Sequence, residues 1–281
     1  MNPYFRLVRI HNVLGAAFGA FTGYVVGAGW EIRPLSLVEA LLVVSLVAAG
    51  GYSINDVYDL EIDRINKPDR PLPSGAISLR RATYLSYSLM GLGVMIAVIQ
   101  GGAQAALALL TAAALVLYAR DLKKTGFYGN LLVATTTALS IFYGGISYGS
   151  GTWLDKIWIP VVYTFLLTLS REVIKGIEDY RGDLIHGVRT VATRMGVERA
   201  WTIARASLIS TSLISPLPLL LGFNLLYGVL LVPFLYFTAR AITAETSEQG
   251  ASKARALLKG SAFIGMLAFS LGSLPLSLLH L

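Results

Sequence analysis

The sequence predicts an all-α integral membrane protein: a polytopic bundle of about nine transmembrane helices, a single domain over residues 1–281, with a cytosolic-side cap over a central cavity. Three observations predict it. Hydrophobic residues make up 55% of the chain and charged residues only 14%, a mixture too apolar to clothe a water-soluble globule. Nine apolar stretches approach the roughly 20 residues that a helix needs to span a bilayer. The basic residues are distributed unevenly between the two sides that alternating spans would define.

The first span begins near Val13, behind Arg6 and Arg9, and runs to Trp30 without a convincing cleavage site, so it reads as a retained helix rather than a signal peptide. Its Gly15, Gly19, Gly23 and Gly27 recur every four residues and predict close approach by another helix. The second span begins near Leu35. The third and fourth, near Ala82 and Gln104, are joined by a brief connection, and the fifth begins near Phe127. The sixth begins near Ile157, and the last three near Trp201, Leu225 and Ala256.

If these spans alternate, every Lys and Arg except Arg33 and Lys156 falls on the side of the amino terminus. That asymmetry predicts a cytoplasmic amino terminus in the cell membrane, with the long connections after the second and sixth spans on the same face. The net charge of +7 therefore serves topology. Membrane lipids are the expected surroundings, with no nucleic-acid partner and no obligate protein partner. Cysteine is absent, which excludes disulfide and thiolate chemistry. His11, His186 and His280 are too scattered for a metal site.

The second span ends in GYSINDVYDLEIDRINKPDRPLPSG, which places Asn55, Asp56, Asp59 and Asp63 within nine residues. Spacings of three and four put the three carboxylates on one helical face, where they repel one another beside hydrocarbon and call for a cation. Oxygen ligands without His or Cys favour Mg²⁺, which takes one or two carboxylates and completes its shell with water and phosphate oxygens. Lys67 and Arg70 follow in a stretch that Pro68, Pro71 and Pro73 keep from continuous helix. They are candidates to grip phosphate, whereas Arg80 and Arg81 suit headgroup anchoring.

The sixth span ends in LSREVIKGIEDYRGD, so Glu172, Lys175, Asp179 and Asp183 recur at helical spacing. Both acidic stretches end an even-numbered span and so lie on one membrane face. Two such stripes can hold Mg²⁺ ions, two in number, against one diphosphate. Neutralising an allylic diphosphate lets it ionise, and a water-excluding apolar cavity protects the resulting cation. Tyr118, Tyr143, Tyr148 and Tyr163 are candidates to line that cavity, with packing as the alternative.

The motifs N-D-x-x-D-x-x-x-D, Asn55 to Asp63, and D-x-x-x-D, Asp179 to Asp183, resemble the UbiA superfamily of intramembrane prenyltransferases across the whole chain. Within it, IDRINKPDRPLPSG, LKKTGFYGN and LSREVIKGIED look most like the archaeal members that join geranylgeranyl diphosphate to geranylgeranylglyceryl phosphate in ether-lipid synthesis. The resemblance implies that Asn55, Asp56, Asp59 and Asp63 coordinate one Mg²⁺ and Asp179 and Asp183 the other. It gives catalytic roles to Asp59, Asp63, Asp179, Asp183 and Lys123, with Arg70 near the diphosphate. Tyr118 matches a family Tyr-x-x-x-Lys element only approximately, lying five residues before Lys123, and Asn12 matches a polar position turned into the cavity. A phosphate-bearing acceptor would call on Lys123, Lys124, Arg171 and Lys175. The alternatives are an aromatic prenyltransferase acting on a hydroxybenzoate or naphthoate and, more remotely, an ion-coupled transporter.

Overall fold

The apolar stretches are rich in Leu, Ala and Val, and in a bilayer each must satisfy its own backbone, which a helix does. The computed structural model describes residues 2–149, 154–185 and 187–275. His186 and His280, and the side chain of Lys124, lie outside what it describes. Among the described residues, nine helices are long and apolar enough to cross a membrane. They are α1 (Ile10–Ala28), α2 (Pro34–Tyr58), α3 (Leu79–Gln100), α4 (Gly102–Arg120), α5 (Phe127–Ser147), α6 (Trp158–Glu178), α7 (Val197–Ile214), α8 (Leu225–Ile242) and α9 (Glu248–Gly272).

Polar residues at the ends stop and start these helices. Ser78, Asn224 and Ser247 cap α3, α8 and α9 by accepting from backbone N–H groups of the first turn. Arg205 of α7 donates to the carbonyls of Ile242 and Ala244 at 2.9 and 2.7 Å, closing the carboxyl end of α8.

α1 runs among α5, α2 and α9, while α2 packs along α3 and α4. α5 leads to α6, which packs on α7 and α9, and α8 lies along α9. One buried cluster joins α5 to α9 around Trp201, Ile174 and Leu258, and another joins α1 to α5 around Tyr24, Val43 and Met90. The predicted glycine stripe faces α5. A Cβ on Gly23 would fall on the Ile141 carbonyl, and one on Gly144 would fall on the Ala20 carbonyl, so the two backbones touch. Gly15 meets nothing within 4 Å and faces the cavity instead.

A cap covers the amino-terminal end of the bundle. It consists of the short helices Pro3–Leu7 and Leu60–Asn66 and the proline-rich loop 67–78. Leu7, Leu72, Ile77 and Ala82 form a small core beneath it. Arg6 ties its two parts together by donating to the Asp69 carbonyl at 2.6 Å.

Candidate active site

The cavity under this cap has a volume of about 520 Å³. Its mouth is polar, lined by Arg9, Asn12, Asn55, Arg171, Glu172 and Lys175. Below that level the wall is Val, Leu, Ala and aromatic side chains of α2, α4, α5, α6 and α9. Such a shape suits a ligand with a charged head and an apolar tail.

Both acidic motifs are built the same way. α2 ends at Tyr58, Asp59 adopts φ −90° and ψ 1°, and the chain restarts as the helix Leu60–Asn66 carrying Asp63. α6 ends at Glu178, Asp179 adopts φ −88° and ψ 4°, and the chain restarts as the helix Tyr180–Ile185 carrying Asp183. In each, the N–H of the second Asp donates to the carbonyl of the first, at 2.7 and 2.9 Å. This bridge-region conformation recurs at active-site residues. The continuous helical stripes expected from the spacing are therefore corrected to two hinged ones, because each first Asp sits at the break.

The break separates the first motif's carboxylates into two networks. Asp56 accepts from Arg9 at 2.5 Å and from Arg70 at 3.2 Å, and the same Arg70 guanidinium reaches Asp63 at 2.5 Å. Asp59 instead accepts from Lys123 and from the Asn55 amide. Asp56 and Asp63 thus share Arg70 while Asp59 is paired with Lys123, and Arg70 bridges carboxylates rather than standing open to phosphate.

Glu172 of α6, two turns before Asp179, comes near the first motif across the mouth. Tyr118, at the end of α4, feels both Asp59 of the first motif and Glu172 of the second. Lys67 lies in the field of Arg70, Lys175 and Arg9, with Asp63 as the opposing charge. Partial loss of water, then these neighbouring cations, holds the Lys67 ammonium below the ordinary lysine range. Asp179 is exposed and Asp183 half-buried, beyond the end of α6.

Of the other sequence candidates, Asn12 lines the cavity and is not a cap, since Arg9 is the cap residue of α1. Tyr118, Tyr143, Tyr163, Arg171 and Lys175 line it too. Tyr148 does not; it lies edge-on to Tyr24, with the Arg33 guanidinium 4.4 Å from its ring centre. Sequence reasoning missed Arg9 as a site residue. Its φ of 53° breaks the chain between the helix Pro3–Leu7 and α1 and sends its guanidinium to Asp56 and over the Tyr52 ring. The only signal in the sequence was its place three residues before Asn12.

The oxygen-only donors Asn55, Asp56, Asp59 and Asp63 suit a hard divalent cation. Among the described residues no three acidic groups form a ready-made cage. Mg²⁺ needs none, because it binds through one or two carboxylates and draws its other ligands from water and substrate phosphate.

Comparison with known proteins agrees with this architecture. Residues 16–268 match the model of the UbiA prenyltransferase family. The chain is 67% identical over 279 residues to the digeranylgeranylglyceryl phosphate synthase of Metallosphaera sedula, covering 99% of this chain and 98% of that one. It is 53% identical over 276 residues to the synthase of the same name from Saccharolobus solfataricus, covering 98% of each. A solved structure of digeranylgeranylglyceryl phosphate synthase superposes with a TM-score of 0.82 at 32% identity, over 96% of this chain and 97% of that one. A UbiA homolog from Archaeoglobus fulgidus bound to GPP and Mg²⁺ shares the fold, with a TM-score of 0.79 at 19% identity, over 96% and 98% of the two chains. With hinged acidic motifs over an apolar cavity and a family match along most of its length, this integral membrane chain belongs to the UbiA prenyltransferase family.

Proposed function

We propose that this prenyltransferase moves a geranylgeranyl group from geranylgeranyl diphosphate to the sn-2 hydroxyl of geranylgeranylglyceryl phosphate, on the cytoplasmic face of the cell membrane. The observation that carries the choice of acceptor is the charge at the mouth. Arg171 and Lys175 line the mouth beside Glu172, and Arg9 and Arg70 pair with the first motif's carboxylates. Arg171 and Lys175 suit a phosphate monoester, which carries more anionic charge than the single carboxylate of a hydroxybenzoate. The names of the archaeal relatives support the same acceptor.

In this reading Asn55, Asp56, Asp59 and Asp63 hold one Mg²⁺, and Asp179 and Asp183 a second. Mg²⁺ held there would supply charge neutralisation of the leaving diphosphate. Arg9, Arg70 and Lys123, which pair with these carboxylates, would turn to phosphate oxygens once Mg²⁺ took their place, with Lys67 beside them. The C1–O bond of the donor breaks, diphosphate leaves with the electron pair, and the acceptor oxygen bonds to C1 and gives its proton to the departed diphosphate. Asn12 and Tyr118 orient the reacting carbon at the neck. The Val, Leu and aromatic wall below it excludes water from the allylic cation. Lys175, Arg171 and Lys124 hold the acceptor's phosphate.

The test is an acceptor panel with one donor. We expect geranylgeranylglyceryl phosphate to exceed 4-hydroxybenzoate in kcat/KM by about a hundredfold or more, the scale set when a built polar site loses its partner. Equal turnover, or preference for the hydroxybenzoate, refutes the acceptor assignment.

A further inference from the structure

The two acidic motifs are held in place by different means. The first is held through its own carboxylates, since Arg9, Arg70 and Lys123 pair with Asp56, Asp63 and Asp59. Its Asp63 is buried, and Leu60 packs against the small core of the cap. The helix Tyr180–Ile185 of the second motif contains no buried residue. Tyr180 is half-buried against the bundle, whereas Leu184 and Ile185 are 50% and 82% exposed. Packing therefore does little to fix the angle at which this helix leaves α6.

Two ion pairs to a single helix supply what packing lacks. Glu178, the last residue of α6, meets Arg255 of α9 at 2.7 Å, and the two side chains are only 22% and 31% exposed. Arg181, beyond the break, meets Glu248 of α9 at 2.9 Å. The pairs thus straddle Asp179. Glu248 and Arg255 are seven residues apart, which puts them two turns apart on one face of α9. Successive residues point about 100° apart around a helix, so Glu178 can turn to α9 while Asp179 stays one turn above Lys175. The Asp179 N–H donates to the Lys175 carbonyl at 3.0 Å, and Lys175 lines the mouth.

We propose that Arg255, aided by Glu248, positions the second acidic motif for its metal. By clamping residues 178 and 181 to α9, the two pairs fix the break at Asp179 and with it the relative placement of the Asp179 and Asp183 carboxylates. Arg255 is a positioning residue, acting through Glu178. The inference rests on the reading that Asp179 and Asp183 hold Mg²⁺, and not on which acceptor is used. Groups that orient metal ligands from behind contribute about ten- to a hundredfold to metal affinity. The less exposed pair, Glu178 with Arg255, carries more of the effect than Arg181 with Glu248, which water screens.

The experiment titrates Mg²⁺ against the binding of geranylgeranyl thiolodiphosphate, a slowly ionising analogue, to the whole chain in nanodiscs. It also follows hydrogen exchange over residues 180–185, where the Asp183 N–H is bonded to the Asp179 carbonyl. In Arg255→Met and in Arg255→Glu the Mg²⁺ concentration for half-maximal binding is expected to rise about tenfold, with faster exchange over 180–185. Loss of a positive charge by itself favours a bound cation, so a rise reports lost geometry. Adding Glu178→Arg to Arg255→Glu restores the pair in reverse and should recover most of the loss. Arg205→Gln, which removes the cap of α8, should lower the melting temperature and leave the Mg²⁺ midpoint unchanged. A wild-type midpoint in Arg255→Met, a double variant no better than Arg255→Glu, or an equal shift in Arg205→Gln overturns the proposal. Asp179→Asn separates the two readings. If it shifts the midpoint and Arg255→Met does not, the positioning role alone is refuted; if it leaves the midpoint in place, the metal role of the second motif falls and the positioning role with it.

Discussion

Asp59 stands at the point where α2 ends, with Lys123 and Asn55 holding its carboxylate. Its charge meets the reacting head directly in the proposed mechanism. Asp59→Ala is expected to lower Mg²⁺-dependent release of diphosphate by about 10²–10³, the scale of removing one preorganised electrostatic group. Retention of full turnover in a stopped diphosphate assay would remove Asp59 from the site. Lys67 supplies a pH dependence. Its ammonium is charged below its pKa and neutral above it, and partial desolvation and neighbouring cations have moved that pKa down. Donor affinity is therefore expected to weaken on the alkaline side before an ordinary lysine would titrate. Lys67→Arg, which stays charged, should flatten the affinity profile there. The linked effect on folding has the opposite sense: a lysine whose folded pKa lies below its unfolded one destabilises at lower pH, and that cost lifts as pH rises through the folded value.

At the scale of elements, the contact of α1 with α5 depends on the absence of side chains. Gly23 and Gly144 place the backbone of one helix against the carbonyls of the other, and no rotamer change can make room there. Gly23→Val is expected to destabilise by about 1–3 kcal/mol or more through overpacking, seen as a lowered melting temperature in detergent. Gly15→Ala, on the same stripe but facing open space, serves as the control and should melt like wild type. The stripe was legible in the sequence because its spacing of four follows from helix geometry alone. The hinges at Asp59 and Asp179 were not. Spacing reports only where a residue would sit on an unbroken helix, and these helices break at the residue concerned.

Over the whole molecule, the basic residues collect at one end of the bundle with the cap and both motifs. The chain has no cysteine, so single introduced cysteines report sidedness directly. With the proposed orientation, Ser74→Cys in the cap loop should react with an impermeant maleimide only from the cytoplasmic side, and Gly222→Cys, between α7 and α8 at the other end, only from outside. The reverse pattern would invert the orientation. Stripping divalent ions with a chelator is expected to abolish turnover, and Mg²⁺ to restore it. A chelator-resistant rate would refute the role given to the acidic motifs.

The sequence by itself determined the number and order of the spans, the common face of the two motifs and the kinds of atom they offer. Those properties are local: a span needs only its own run of apolar residues, and sidedness only the charges flanking it. Only the tertiary structure decided that Arg9, before α1, closes on Asp56 of α2, that Arg70 and Lys123 divide the carboxylates between them, and that Tyr163 meets Phe269 in the cavity wall. Each of these joins residues from separate helices, and the rotation and tilt of one helix against another depend on packing across the whole bundle.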